Sequence, residues 1–271
     1  MSKQGSSFKD ALQNVFAASA ILIAFIVAYI LFTQVMGNPV NFEGRNPNGT
    51  ALNYLGMVYR GGTIVPILMT CVMVLIIFVF ERAITLTRAK GKGRINGFVH
   101  QLQTLLAEDK IEEAMDACDK QRGSLANVMK AGLLRYRDLQ NDKELEKDQK
   151  ILSIQKAFEE ATALELPMLS KNMVMFSTLA SISVLIGLIG TVLGMIKAFA
   201  ALAQSGAPDA LKLASGISEA LVNTAFGITG STLSIIAFNF FSTSIDSYTF
   251  KIDEAGFSLT QNFAASLKSK V

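Results

Sequence analysis

The chain has 271 residues, 51% of them hydrophobic and 17% charged, and a net charge of +3. Soluble domains carry about a quarter of charged residues, so this composition points away from an ordinary soluble domain and towards a membrane class. The small net charge, with no clustered basic face interleaved with aromatics, excludes a nucleic-acid binder.

In chain order, four apolar segments approach the ~20 residues that a membrane helix needs. They run from about Val15 to Val35, Ile64 to Phe80, Met173 to Leu202 and Ile217 to Phe241. Lys3 and Lys9 precede the first, as in a signal peptide. Its apolar run is longer than the ~7–15 residues of a signal core and no small-x-small cleavage site follows, so it reads as a retained anchor helix. The stretch GNPVNFEGRNPNGT that follows reads as loop. ALNYLGMVYR then reads as a short interfacial helix whose Tyr54 and Tyr59 suit a headgroup belt. Cys71 falls in an apolar run and Cys118 in a charged one, so no disulfide joins them, and no Cys/His spacing suggests zinc.

Arg82, Arg88, Lys90, Lys92 and Arg94 follow the second segment with only Glu81 opposing. The linkers beyond the first and third segments are poor in cations, so the middle region and both termini are expected in the cytoplasm. The middle region reads as helical. Ile111, Ala114, Met115 and Cys118 share one face of EDKIEEAMDACDKQRG, with Gly123 as a stop. SLANVMKAGLLRY follows with Ser124 as its expected N-cap. A third helix, about Asp142 to Leu166, carries Ile151, Ile154, Phe158 and Ala161 as a stripe. Beyond the fourth segment, Ile245, Tyr248, Ile252, Ala255, Leu259 and Phe263 continue the same spacing. His100 has no nucleophile or acid beside it and reads as a helix-surface residue. No Walker loop or dinucleotide fingerprint is present, so no nucleotide chemistry is expected and the chain is not expected to be an enzyme.

The expected fold class is an all-α integral membrane protein with four transmembrane helices, one of them an extra N-terminal one, and long helices extending into a cytoplasmic helical domain. The expected organisation is a cytoplasmic N-terminus (1–14), a first span (15–36), a periplasmic linker (37–62), a second span (63–85), a cytoplasmic helical domain (86–171), a third span (172–203), a periplasmic loop (204–215), a fourth span (216–243) and a cytoplasmic C-terminal helix (244–271).

The chemistry sits in the last two spans. At about 100° per residue, Ser177, Ser181, Leu188, Thr191 and Met195 lie within roughly 80° of one another on the third. Asn223, Thr224, Gly227, Ser231 and Ser234 lie within about 100° on the fourth, with Glu219 just off the edge of that face. Hydroxyls and small residues serve helix packing as readily as a water-lined path. Glu219 favours the path, because a carboxylate in a spanning helix is costly unless paired, protonated or facing a cavity. One carboxylate is little equipment for moving protons, so either water passes the stripes or a second chain supplies another acid. Lys197 is expected to carry its charge out to the interface. A secondary transporter would show repeated halves and broken helices, which are not evident. A non-conducting scaffold would need neither the stripes nor Glu219.

GLIGTVLGMIKAF (Gly187 to Phe199) and GISEALVNTAFGI (Gly216 to Ile228) resemble motifs of the MotA/TolQ/ExbB proton-channel family, closest to its ExbB and TolQ branches. SLANVMKAGLL resembles the family's cytoplasmic region, and the likeness covers roughly Ile64 to the C-terminus. The polar stripes make Ser181, Asn223 and Ser231 expected liners of one path, and Gly187, Gly190, Gly194 and Gly227 expected points of close helix packing. The resemblance implies that Thr191 and Thr224 are pore threonines and Glu219 the membrane glutamate. It also implies an inner-membrane homo-pentamer, with two copies of an ExbD-like or TolR-like single-span partner in its pore. The partner's aspartate would carry the proton, and the work would pass to a TonB-like or TolA-like transducer. No cofactor is implied beyond the translocated proton. Where the family has Ala-Pro, this chain has Ser183-Val184, which removes a proline kink, and the first span is absent from the commonest members.

Overall fold

The computed structural model describes residues 19–46, 49–140, 145–203 and 209–269, with side chains to residue 265. The expected N-terminal tail, the start of the first span at Val15, the start of the third cytoplasmic helix at Asp142 and the beginning of the 204–215 loop lie outside them. Every regular element among the described residues is helical, apart from one isolated bridge between Phe42 and Ala51. Among the described residues four helices are long and apolar enough to cross a membrane. The chain is therefore an all-α protein of membrane type.

The helices are α1 (Ser19–Met36), α2 (Tyr54–Tyr59), α3 (Val65–Ala89), α4 (Ile95–Ala107), α5 (Ile111–Gln121), α6 (Gly123–Gln140), α7 (Lys147–Leu169), α8 (Met173–Ala203) and α9 (Ala210–Ser269). They divide into two compact units, Met1–Phe80 with Val174–Phe238 and Glu81–Met173 with Asn239–Val271. α8 is unbroken, as the absence of the proline allows. α9 begins earlier than the expected residue 216 because Asp209 caps it, its Oδ1 accepting from the backbone N–H groups of Leu211 and Lys212 at 3.1 Å each.

In the first unit, α1 buries Ala20, Ala24, Ala28 and Phe32, one residue per turn, and leaves Leu22, Ile23, Ile26 and Ile30 exposed. An outward apolar face on a helix whose own backbone groups are paired is what lipid requires. The helix ends in a wider turn over Leu31–Met36. There Asn41 Nδ2 donates to the carbonyls of Val35 (2.7 Å) and Met36 (3.0 Å), and its Oδ1 accepts from Asn53 Nδ2 at 2.9 Å. Asn53 in turn caps α2 by accepting from Gly56 N. The segment expected as loop and interfacial helix is thus a folded connection from α1 to α2. Tyr59 stacks on Phe32 (4.7 Å between centroids) and meets the edge of Phe42. Tyr54 remains exposed.

In the second unit, the stripe Ile245, Tyr248, Ile252, Ala255, Leu259 and Phe263 of α9 is buried. So is the α5 face of Ile111, Ala114, Met115 and Cys118. Tyr136 of α6 stacks on Phe263 at 4.3 Å, and the Phe158 ring of α7 seats on Gly132. Tyr248 Oη accepts from Leu125 N (3.1 Å) and donates to the Ala89 carbonyl (2.5 Å). Ser124 is not an N-cap; α6 starts at Gly123 and Ser124 is buried in its first turn. α4, which the sequence reading did not pick out, buries Phe98, Leu102 and Leu106. His100 lies exposed on it. Arg82, only 1% exposed, donates to the Glu81 carboxylate (2.7 and 2.8 Å) and to the Leu169 carbonyl (3.1 Å).

Candidate functional site

α8 and α9 approach closely because glycines face each other along them. A Cβ at Gly194 would stand 2.7 Å from the backbone of Ala220, and one at Gly227 would stand 2.7 Å from the Ser183 carbonyl. One at Gly190 would press on the Asn223 side chain at 2.5 Å, and one at Gly187 would meet Gly227 at 3.0 Å. Small residues at such spacing let helices pack backbone to backbone, which in lipid stands in for the missing hydrophobic drive.

At this seam the hydroxyls of Thr191 and Thr224 meet in a direct hydrogen bond. Thr191 Oγ1 is also 3.1 Å from the Gly187 carbonyl, and Thr224 Oγ1 is 3.2 Å from that of Ala220. Two hydroxyls bring two protons and four lone pairs, so the pair keeps spare acceptor capacity for a water or a protonated acid. Both residues are partly buried. The pair is neutral, so it can relay or hold a proton donor but cannot rest a charge.

Next to Thr224, Asn223 is wholly buried and turned the other way. Its Nδ2 donates to the Gly61 carbonyl at 2.9 Å, while its Oδ1 has no partner among the described residues. A buried acceptor without a partner calls for an explanation such as water. One turn nearer the start of α9, Glu219 is 9% exposed and accepts from Lys197 Nζ at 2.6 Å. The Lys197 side chain stays more than half exposed, and its ammonium is at the same time paired with Glu219. Ser231 and Ser234 are buried on α9. Ser181 is exposed on α8, its hydroxyl donating to the Ser177 carbonyl, and is not brought to the threonine pair. The site thus gathers Thr191, Thr224, Asn223 and Glu219, and adds Lys197 and the Gly61 carbonyl. Lys197 and Glu219 lie about two turns on either side of the α8–α9 connection, which is the sequence signal that could have paired them.

Among the described residues no group of three or more His, Cys, Asp or Glu could hold a metal ion.

Apart from the Gly61 carbonyl, these features fall within residues 120–254, which match the model of the MotA/TolQ/ExbB proton channel family. The chain is 38% identical over 87 residues to a putative biopolymer transport protein, ExbB-like 3, of Synechocystis, covering 31% of this chain and 41% of that protein. It is 36% identical over 72 residues to the biopolymer transport protein ExbB of Salmonella typhimurium, covering 27% and 30%. It is 25% identical over 166 residues to the Tol-Pal system protein TolQ of Pseudomonas aeruginosa, covering 61% and 71%. The match to the first two spans less than half of those relatives' length. From the motif-bearing helices and the family match, the chain belongs to the MotA/TolQ/ExbB proton channel family.

Proposed function

We propose that the chain is an ExbB-like stator subunit of an inner-membrane motor driven by the proton-motive force, which energises TonB-dependent transport across the outer membrane. The observation that carries the reading is the Thr191–Thr224 hydroxyl contact inside a glycine-packed seam. Packing alone would be served by the glycines. Two facing hydroxyls beside a buried asparagine and a carboxylate provide a polar track through an apolar helix pair. Because the pair cannot rest a charge, the ionisable carrier is assigned to the aspartate of an ExbD-like single-span partner. Two copies of it would sit in the pore of a homo-pentamer lined by α8 and α9. Ser181, exposed on α8, and Ser231 would line the same pore. Both termini and the second unit would lie in the cytoplasm, on the side of the Arg82–Arg94 cations.

A TolQ-like role in the Tol-Pal system is the second reading, favoured by the match that covers 71% of the Pseudomonas aeruginosa TolQ protein. Uptake through a TonB-dependent receptor, measured against envelope integrity in a strain lacking its own subunit, separates the two.

The test of the pore is a paired measurement of complex yield and proton-driven uptake. Thr191→Val and Thr224→Val keep the shape and remove the hydroxyl; Glu219→Gln keeps the volume and removes the charge. All three are expected to assemble and to lose uptake. As packing groups alone, the hydroxyls would be worth about 1 kcal/mol and uptake would survive. Wild-type uptake in all three variants contradicts the pore.

A further inference from the structure

The outer end of the α8–α9 seam holds a contact that the threonine path does not itself require. Lys197 Nζ donates to Glu219 Oε1 at 2.6 Å, with the lysine side chain 58% exposed and the glutamate side chain 12%. The carboxylate is therefore drawn inward while the ammonium stays within reach of water. Its other neighbour is Gly62, whose φ of +73° suits glycine, and a Cβ there would collide with Oε1. The preceding Gly61 gives its carbonyl to Asn223. A Cβ at Gly61 would stand 2.7 Å from the Val222 side chain. One glycine turn thus grips α9 at three residues, Glu219, Val222 and Asn223, immediately before Thr224.

That turn closes the connection from α1. α2 leads directly into it, and Tyr59 locks α2 to α1 by stacking on Phe32. Val58 is buried in one cluster with Ala28 and Phe32 of α1 and Val65 and Met69 of α3, and Val222 packs against it.

We propose that Lys197 and the Gly61–Gly62 turn are positioning elements of the proton path. They hold Glu219 as a paired carboxylate and set the register at which Thr224 meets Thr191. The N-terminal helix and its folded connection thereby govern the path without placing a side chain in it. The inference rests on the pore reading above. Glu219 acts here through its ion pair, since a membrane-buried carboxylate stripped of its cation is strongly disfavoured and must protonate or turn outward. Either change moves the carboxylate from its seat against Gly62 and leaves the Gly61–Asn223 bond as the turn's polar hold on α9.

The experiment uses the full chain with its single-span partner in membranes. Lys197→Met and Gly62→Ala are each expected to cut proton-driven uptake about tenfold or more at equal complex yield. Lys197→Arg, which keeps the charge, is expected to restore it to within about threefold, as is the reversed pair Lys197→Glu with Glu219→Lys in part. A second readout needs no activity: oxidative cross-linking of the double variant Thr191→Cys/Thr224→Cys. It is expected to form readily alone and to fall several-fold when Lys197→Met or Gly62→Ala is added. Unchanged cross-linking, or wild-type uptake by Lys197→Met and Gly62→Ala, overturns the proposal. Thr224→Val, run in parallel, separates the two failures. If it is inactive while the positioning variants work normally, the pore stands and the positioning role falls. If it works normally, the pore reading falls and takes the proposal with it.

Discussion

Thr224 and Asn223 are adjacent in sequence, yet they face different partners, one across to α8 and the other to the Gly61 carbonyl. Helical projection places them on one stripe, and so it reads the polar character of α9 correctly but not which side chain meets which. The pairing of Lys197 with Glu219 follows from their similar distance to the α8–α9 connection and not from periodicity, which describes one helix and is silent about what a second helix sets opposite it. Cys118 gives a prediction at this scale. Burial and the neighbouring Asp119 charge push its thiol from an ordinary 9.0 up to about 12. The thiolate is therefore scarce in the folded protein, and alkylation at pH 8 is expected only on unfolding. A raised folded pKa favours the protonated form on folding, so this contribution is complete below about pH 9 and is lost as pH rises towards 12. The Cys118→Ala variant is expected to lose that part of the alkaline destabilisation, read by thermal melting between pH 8 and pH 11. An equal pH dependence in the variant contradicts it.

α9 shows what an element's sequence does and does not disclose. Its stripe from Ile245 to Phe263 was legible, because a core face on a long helix must repeat every three to four residues. The same spacing marks Phe98, Leu102 and Leu106 of α4, which was legible and overlooked between the basic cluster and the acidic helix that follows. The connection from α1 to α2 was not legible as structure. An Asn- and Gly-rich run reads as loop, and only the contacts reveal that Asn41 closes the end of α1, that Asn53 caps α2 and that the two side chains join. Leu259→Ala, at a wholly buried position, is expected to destabilise the second unit by about 2–5 kcal/mol. Phe257→Ala, two residues away and 68% exposed, is expected to be nearly silent in the same melting experiment. Arg82→Met leaves the Leu169 carbonyl without its buried donor and is expected to cost about 1–3 kcal/mol. Equal melting of Leu259→Ala and wild type would show that the α9 stripe is not a core.

The proposed function gives the whole chain a sidedness and a transported ion. The sidedness follows from the cations after α3. A cysteine replacing the exposed Leu52 is expected to be labelled from outside intact cells, and one replacing the exposed Asp138 only after permeabilisation. The two native cysteines are buried and free, and interfere little. The reverse labelling pattern overturns the orientation. The central claim is that protons pass the Thr191–Thr224 pair. The most direct measurement is proton flux into liposomes carrying the complex with its single-span partner, under an imposed membrane potential, for wild type and for Thr224→Val at matched complex content. A flux in the wild type that is abolished in Thr224→Val is expected; an equal flux in both, or none in the wild-type complex, overturns the proton path.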